Sequence, residues 1–469
     1  MSQPSTLAGS ASLKQHSPDD EKNDLDHPSP IGNEADSNQE APAALSPLHP
    51  SQFPDGGKQA YLCLLGGFCC LFCSFGWLNC LGVFQNYYQR HQLSAYSAST
   101  IAWIPSVQIF VFFIPGPVVG WFNDNHGPKY LLLVGTVMHV LGLMMTSLCE
   151  EYWQFMLAQG VCSPLGLNCI FQAGTSTIPT WFLKRRGLAY GVMAAGSGLG
   201  GVIFPIMASH LIPSVGFGWT MRIIAFTILA LMMVACVTVT SRLPPKPRSL
   251  TLQVLLEPFK DTRFNLLTLA AFLFFFGLFV PINFIEVQAL NSGMSARLAG
   301  YLLSVLNACR QSIFGRIIPG FLADRLGRFN MQVLFCTIAG IVVLALGIPA
   351  ASNAAFIIFA ALYGFASGAF VSLLPAQIAH ISPVEQIGVR VGVTFACISF
   401  AGLVGAPIAG AIVDANGGRF WGLNVFSGVM LLARCADVWR HKDGCRRVAD
   451  GKESLKGWII GGIEGPEYF

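Results

Sequence analysis

The chain has 469 residues, of which 53% are hydrophobic and only 11% charged, with a mean hydropathy of +0.56. An ordinary soluble domain carries about 25% charged residues, so this composition excludes a soluble globular protein and points to one that keeps much of its surface in a lipid bilayer. The net charge of +4 is small and no basic stripe is interleaved with aromatic residues, so a nucleic-acid partner is not expected.

Residues 1–58 differ from the rest. They are rich in Ser, Pro, Asp, Asn and Glu and hold no sustained apolar run. Such a composition does not bury enough surface to offset chain entropy, which predicts a disordered cytoplasmic tail. It has no basic stretch followed by an apolar one, so it does not read as a signal peptide and the first span is expected to direct insertion. Apolar spans follow at about 60–85, 98–122, 129–149, 153–178, 187–211 and 218–241. They resume at about 264–288, 296–322, 329–350, 354–379, 387–413 and 419–436. Most approach the roughly 20 apolar residues needed to cross a bilayer. The predicted organisation is an N-terminal six-helix bundle over 59–241, a cytoplasmic linker over 242–263, a C-terminal six-helix bundle over 264–436 and an atypical cytoplasmic tail over 437–469. The last span is weak: its apolar part runs only from Trp421 to Ala433, with Asn424 inside it and Arg434 and Asp437 closing it. A short helix with a snorkelling Arg and a damaged copy of the architecture both fit.

Loop charges set the expected orientation. Lys129, Lys184, Arg185, Arg186, Arg242, Lys246, Arg248, Arg325 and Arg328 fall on one side, with the tail bases Arg440, Lys442, Arg446 and Arg447. The opposite loops carry far fewer bases, Arg90 and Arg297 among them. The excess of Lys and Arg on cytoplasmic loops then places both termini and the linker in the cytoplasm, with the plasma membrane expected rather than the vacuole. The 14 cysteines are scattered through apolar runs, as at Cys63, Cys69, Cys70 and Cys73, where Cys acts as a small hydrophobe. No metal and no cofactor is expected.

A polar hairpin occurs twice. Gly120-Trp-Phe-Asn-Asp124-Asn-His-Gly127-Pro-Lys129 follows the second span. Gly320-Phe-Leu-Ala-Asp324-Arg-Leu-Gly327-Arg328-Phe329 follows the eighth, 200 positions later. A second pair, Arg186-Gly-Leu-Ala-Tyr-Gly191 and Gly388-Val-Arg390-Val-Gly392, repeats at 390 minus 186, or 204. Repeats that agree in order and spacing mark a duplicated helical membrane protein. Gly120 and Gly320 allow two helices to close tightly. Asp124 and Asp324 lie near the start of the next helix, where the dipole favours an anion, and an Asp that also meets a base across the bundle would latch one conformation.

These hairpins resemble the signature of the major facilitator superfamily, over roughly 60–436. A narrower resemblance is to its monocarboxylate-porter-like branch of fungal type. It rests on Trp181-Phe-Leu-Lys-Arg-Arg186-Gly-Leu-Ala-Tyr-Gly191, Gly196-Ser-Gly198-Leu-Gly-Gly201, Gly315-Arg316-Ile-Ile-Pro319-Gly320 and Ile387-Gly-Val-Arg390-Val-Gly392. The resemblance implies an all-α polytopic membrane protein of two six-helix bundles related by a pseudo-two-fold axis, working by alternating access. It also implies an anion-binding role for Arg316, as in the resembling carboxylate porters. Two departures stand against the porters' proton-and-anion relay: Ser312 replaces an Asp, and Gly76-Trp77-Leu78-Asn79 lacks a Lys.

Charges inside spans are few and therefore informative. A buried guanidinium is always charged and clamps a carboxylate with two hydrogen bonds; Arg316 is equally readable as a snorkelling residue or a partner of Asp324. Arg310 and Glu286 are expected to pair, which makes Glu286 the candidate proton carrier. Asn307 shares a helix face with Arg310, and Asn79 and Asn283 are further substrate-binding candidates. Gln85, Gln108, Asn168, Gln172, Gln311, Gln377 and His380 line a cavity or make helix–helix hydrogen bonds. The conformational gate is expected at Gly120, Asp124, Gly127, Lys129, Gly320, Asp324, Gly327 and Arg328. The 36 Phe residues suit an apolar or aromatic metabolite or simply face lipid.

The expected function is secondary-active or facilitative transport of a small organic solute: a monocarboxylate, a related organic anion or a secondary metabolite. The expected partners are the bilayer, the solute and protons. A non-transporting nutrient sensor and a proton-driven metabolite or drug exporter are the alternatives. No acid–base pair, metal cluster or nucleophile motif faces either surface, so an enzyme is not expected.

Overall fold

All twelve predicted spans are helical in a computed structural model of the chain, which describes residues 52–243, 249–350 and 352–433. Eight helical stretches among these residues are long and apolar enough to cross a bilayer. One of them, Arg186–Thr238, comprises the fifth and sixth spans, joined where Gly216 leaves helical geometry at φ 80°, ψ 166°. The fourth span runs from Tyr152 through a π-helical stretch, Met156–Cys162, to Thr180. The eighth consists of Ala296–Gln311 and Ile313–Leu326. Exposed Leu, Val, Ile and Phe side chains, such as Leu133, Val137, Ile341 and Phe400, cover the outer surfaces, as a lipid-facing bundle requires.

Breaks in the helices have visible causes and visible compensation. Pro115 and Pro117 interrupt the second span between Ala98–Phe113 and Gly116–His126. The Phe112 and Gly116 carbonyls next to the break accept hydrogen bonds from the side-chain amides of Asn168 (2.6 Å) and Gln172 (3.2 Å). These two residues sit one turn apart on the fourth span, so their helix–helix reading holds over the cavity-lining one. The twelfth span is helical from Trp421 to Ala433. Its Asn424 amide donates to the Gly347 carbonyl at 2.9 Å, and Ser427 Oγ donates to the Gly277 carbonyl at 2.8 Å. The polar residues that made this span look weak tie it to the ninth and seventh.

Two segments at the edges carry more structure than the sequence alone suggests. The tail expected over 1–58 is docked over its last described residues, with Phe53 buried and the first helix starting at Lys58. The linker carries a short helix, Leu252–Leu256, begun by Thr251, which accepts from the Val254 N–H. The tail expected over 437–469 lies outside the described residues.

Candidate functional site

Each hairpin closes on the opposite half of the molecule. The Gly388 and Val389 N–H groups donate to the two Asp124 oxygens at 3.0 and 2.9 Å. The Gly187 and Leu188 N–H groups donate to those of Asp324 at 2.7 and 2.8 Å. Each carboxylate therefore caps the N-terminus of a helix in the other half, the eleventh span for Asp124 and the fifth for Asp324. The helix dipole does favour the anion, but it belongs to the diagonal partner rather than to the next helix. Backbone N–H groups across the bundle meet both carboxylates. Arg328 pairs with Asp324 of its own hairpin at 3.2 Å and donates across to the Leu183 carbonyl at 2.8 Å. Lys129 is exposed and makes no hydrogen bond or ion pair among the described residues. Gly127 and Gly327 end their helices at φ 78° and 94°, a conformation that L side chains resist.

Small residues make this closure possible. A Cβ on Gly120 would collide with the Gly388 carbonyl, and one on Gly320 with the Gly187 carbonyl. One turn deeper, Gly392 lies against Gly116, and Gly191 lies against the Arg316 backbone. These contacts define the internal register. The equivalent of Gly187 is Gly388, and 388 minus 187 is 201, so the 204 spacing that matched Arg186 to Arg390 is off by three. The two arginines accordingly do different work. Arg186 donates across the halves to the Ala379 carbonyl at 2.8 Å, whereas Arg390 pairs at 2.9 Å with Asp261, the linker residue that caps the seventh span.

Arg316 is 2% exposed, so it does not snorkel, and it does not pair with Asp324. Its Nη1 donates to the Ala194 carbonyl at 2.5 Å and to Ser197 Oγ, both on the fifth span of the other half, and its Nε to the Arg310 carbonyl at 3.4 Å. All three acceptors are neutral. Ser312 caps Ile313–Leu326 by accepting from the Gly315 N–H at 2.9 Å, so the eighth span is broken between Arg310 and Arg316. The position where the porters' Asp is missing is thus a helix start. Arg310 lies close enough to Tyr363 and Arg316 to feel both electrostatically. Glu286 is exposed and makes no ion pair with Arg310 among the described residues, so the expected pairing is not formed. Asn307 is half-buried on the Arg310 helix, Asn283 is exposed, and Asn79 donates back to its own helix at Phe75 (2.7 Å).

Sequence reading missed two groups. The first is aromatic. Phe395 stacks on Phe113 across the two halves at 5.1 Å and meets Phe171 edge-on at 5.0 Å; Phe113 also meets Phe275 at 6.2 Å. All four are buried, so these Phe residues do not face lipid. Nothing in a run of apolar residues separates an inward Phe from an outward one. The second is Asp55, whose Oδ1 accepts from the N–H groups of Leu183, Lys184 and Arg185 at 2.7, 2.8 and 3.2 Å. Arg242 covers Phe53 at 4.7 Å and donates to the Gln52 and Thr180 carbonyls; burial there lowers the Arg242 pKa from its ordinary value. This strap holds the loop that also receives Arg328. Asp55→Ala is expected to raise hydrogen exchange at Leu183, Lys184 and Arg185 about tenfold, the effect of losing roughly 1.4 kcal/mol of charge-assisted hydrogen bonding. Unchanged exchange would show that the strap does not hold the loop.

Two helical halves interlocked diagonally at one membrane face, with a broken helix and a buried arginine between them, define a polytopic transport protein. The sequence matches the Major Facilitator Superfamily over residues 65–349 and 267–444. It is 51% identical over 399 residues to MFS-type transporter 1 of Ophiocordyceps sp. (strain BCC 1869), covering 85% of this chain and 88% of that one. It is 43% identical over 436 residues to the fujikurins efflux protein of Gibberella fujikuroi, covering 93% and 90%. The fold is similar to that of the E. coli fucose:proton symporter, with a TM-score of 0.65 and 16% identity over 80% of this chain and 97% of that one. The chain belongs to the major facilitator superfamily and is a multi-pass membrane transporter of small organic solutes.

Proposed function

We propose that the protein exports an organic anion of secondary metabolism by alternating access, with Arg316 as the group that engages the anion. The observation that carries this reading is a buried guanidinium whose hydrogen bonds all end on neutral oxygens. A charge inside a membrane bundle is costly and stands as a functional hypothesis by default. It sits beside a broken helix, the arrangement transporters use at solute sites. The monocarboxylate-porter-like stretch Trp181–Gly191 supports placement in that branch, and the 43% identity to an efflux protein supports export.

The same reading divides the chain into bundles at 59–241 and 264–436 and turns the hairpin face to the cytoplasm of the plasma membrane, in line with the loop bases. The hairpins act as the cytoplasmic gate: Asp124 and Asp324 hold it, Gly120 and Gly320 let it close, Gly127 and Gly327 turn the chain, Arg328 braces it and exposed Lys129 fixes topology. Arg310, Asn307, Asn79 and Asn283 serve as secondary polar contacts for the solute. Glu286 carries the coupling proton in the state open to the other face. Glu286→Gln is then expected to flatten the pH dependence of transport; a retained pH response would remove Glu286 as the carrier.

The deciding experiment is reconstitution into vesicles with labelled carboxylates and neutral metabolites of similar size. Saturable, exchangeable flux of carboxylates is the expected result. Flux of neutral solutes alone would overturn the anion reading, and binding without flux would make the protein a sensor.

A further inference from the structure

The internal symmetry of the fold makes it possible to ask where the two halves differ in chemistry. The hairpin positions superimpose at 200 residues (324 minus 124), and the helix starts they cap at 201 (388 minus 187). By this register Arg316 corresponds to Gly116, Ala194 to Phe395 and Ser197 to Ile398. The contacts bear this out: Gly191 packs on the Arg316 backbone as Gly392 packs on Gly116.

The two seams between the halves are therefore alike in backbone and opposite in side chains. At the seam of the fifth and eighth spans, Arg316 reaches Ala194 and Ser197. At the seam of the second and eleventh, the arginine position is glycine, and the position of Ala194 holds Phe395, stacked on Phe113 at 5.1 Å with Phe171 edge-on at 5.0 Å. The pseudo-two-fold axis exchanges these seams, so the buried guanidinium and the buried aromatic cluster occupy symmetry-related positions on its two sides. Rings joined across halves that move apart also become available to a ligand when their ring partner leaves, and an aromatic face binds an apolar or aromatic body well.

We propose that Phe395, Phe113 and Phe171 form the apolar half of a bipartite site whose polar half is Arg316, so that the solute is an amphipathic anion: one acidic head on an extended aromatic or polyunsaturated body. A short monocarboxylate engages only one half. This proposal rests on the anion reading of Arg316 given above, and its test separates the two.

The test uses the full-length protein in vesicles and three labelled probes: a three-carbon monocarboxylate, an aryl-alkyl carboxylate with at least two conjugated or fused rings, and the methyl ester of the latter. The wild type is expected to carry the aryl acid with a KM at least tenfold below that of the short acid. Phe395→Ala is expected to raise the KM for the aryl acid about tenfold, and that for the short acid much less. Phe395→Tyr keeps the ring face and is expected to retain the low KM, which separates loss of a binding surface from loss of packing. Arg316→Lys is expected to weaken transport of the acid and not of the ester. Equal effects of Phe395→Ala on both acids, or none on either, would overturn the aromatic half. If the wild type prefers the short acid, the bipartite site is overturned while the anion reading stands. If it carries the ester and neither acid, the anion reading falls and the bipartite site with it.

Discussion

Asp324→Ala is expected to open the hairpin face and slow transport without preventing insertion. The substitution removes the acceptor for the Gly187 and Leu188 N–H groups and the anion beside Arg328. Hydrogen bonds to a charged group contribute about 1.5–3 kcal/mol each, and a carboxylate at a helix N-terminus adds roughly 0.3–1 kcal/mol. Water replaces part of this once the face opens, so a net loss of about 3 kcal/mol is a reasonable scale, which shifts the closed-to-open ratio by roughly 150-fold. Spin labels on Lys184 and Arg325, both exposed and in opposite halves, should give a narrow distance distribution in the wild type and a broad, longer one in the variant. Asp124→Ala should act in the same direction at the other seam. A distribution unchanged by either substitution would mean that the glycine crossings alone hold the face closed.

Arg316→Ala should separate activity from stability. Transport is expected to fall at least a hundredfold, because the fixed charge that meets the anion is gone. Thermal stability is expected to hold or to rise. The guanidinium donates only to neutral oxygens, so no opposite charge offsets its desolvation, and removing such a buried charge often costs little or stabilises. Arg316→Lys keeps the charge but loses the planar fork that reaches Ala194, Ser197 and Arg310 together; transport about tenfold below wild type is expected. Thermal unfolding in detergent followed by flux in vesicles gives both readouts on one preparation. An Arg316→Ala variant that melts well below wild type while transporting normally would make the residue a structural tie between the halves.

These expectations explain why the gate motif was more legible than its mechanism. The hairpin residues were identifiable because glycine, aspartate and a base recur at one spacing. What each Asp touches was not, because its partners are N–H groups of residues 137 and 265 positions away in the longest cases, and a backbone N–H carries no residue identity. The repeat register failed in a related way. Arg186 and Arg390 resemble each other in the sequence, yet the helices align on Gly187 and Gly388, where steric exclusion of a Cβ sets the crossing. For Asn168 and Gln172 the sequence offered both cavity lining and helix–helix hydrogen bonding, and could not name a partner. Their partners are carbonyls beside a proline break in another helix, a pairing that needs the bundle to be assembled.

The sequence by itself determined the class of protein, the number and order of its spans, its duplication and the residues of the two hairpins. These follow from hydrophobicity over lengths near the bilayer thickness and from local turn chemistry, both of which are properties of short stretches of chain. Only the tertiary structure decided that the hairpins lock diagonally, that Arg316 reaches across to the fifth span, that Asp55 clamps a loop more than 120 positions away, and which phenylalanines turn inward. Those features depend on which helix faces meet. In a chain whose spans are apolar on nearly every side, the facing is set by close packing of glycines and by the few polar groups that must find partners away from lipid.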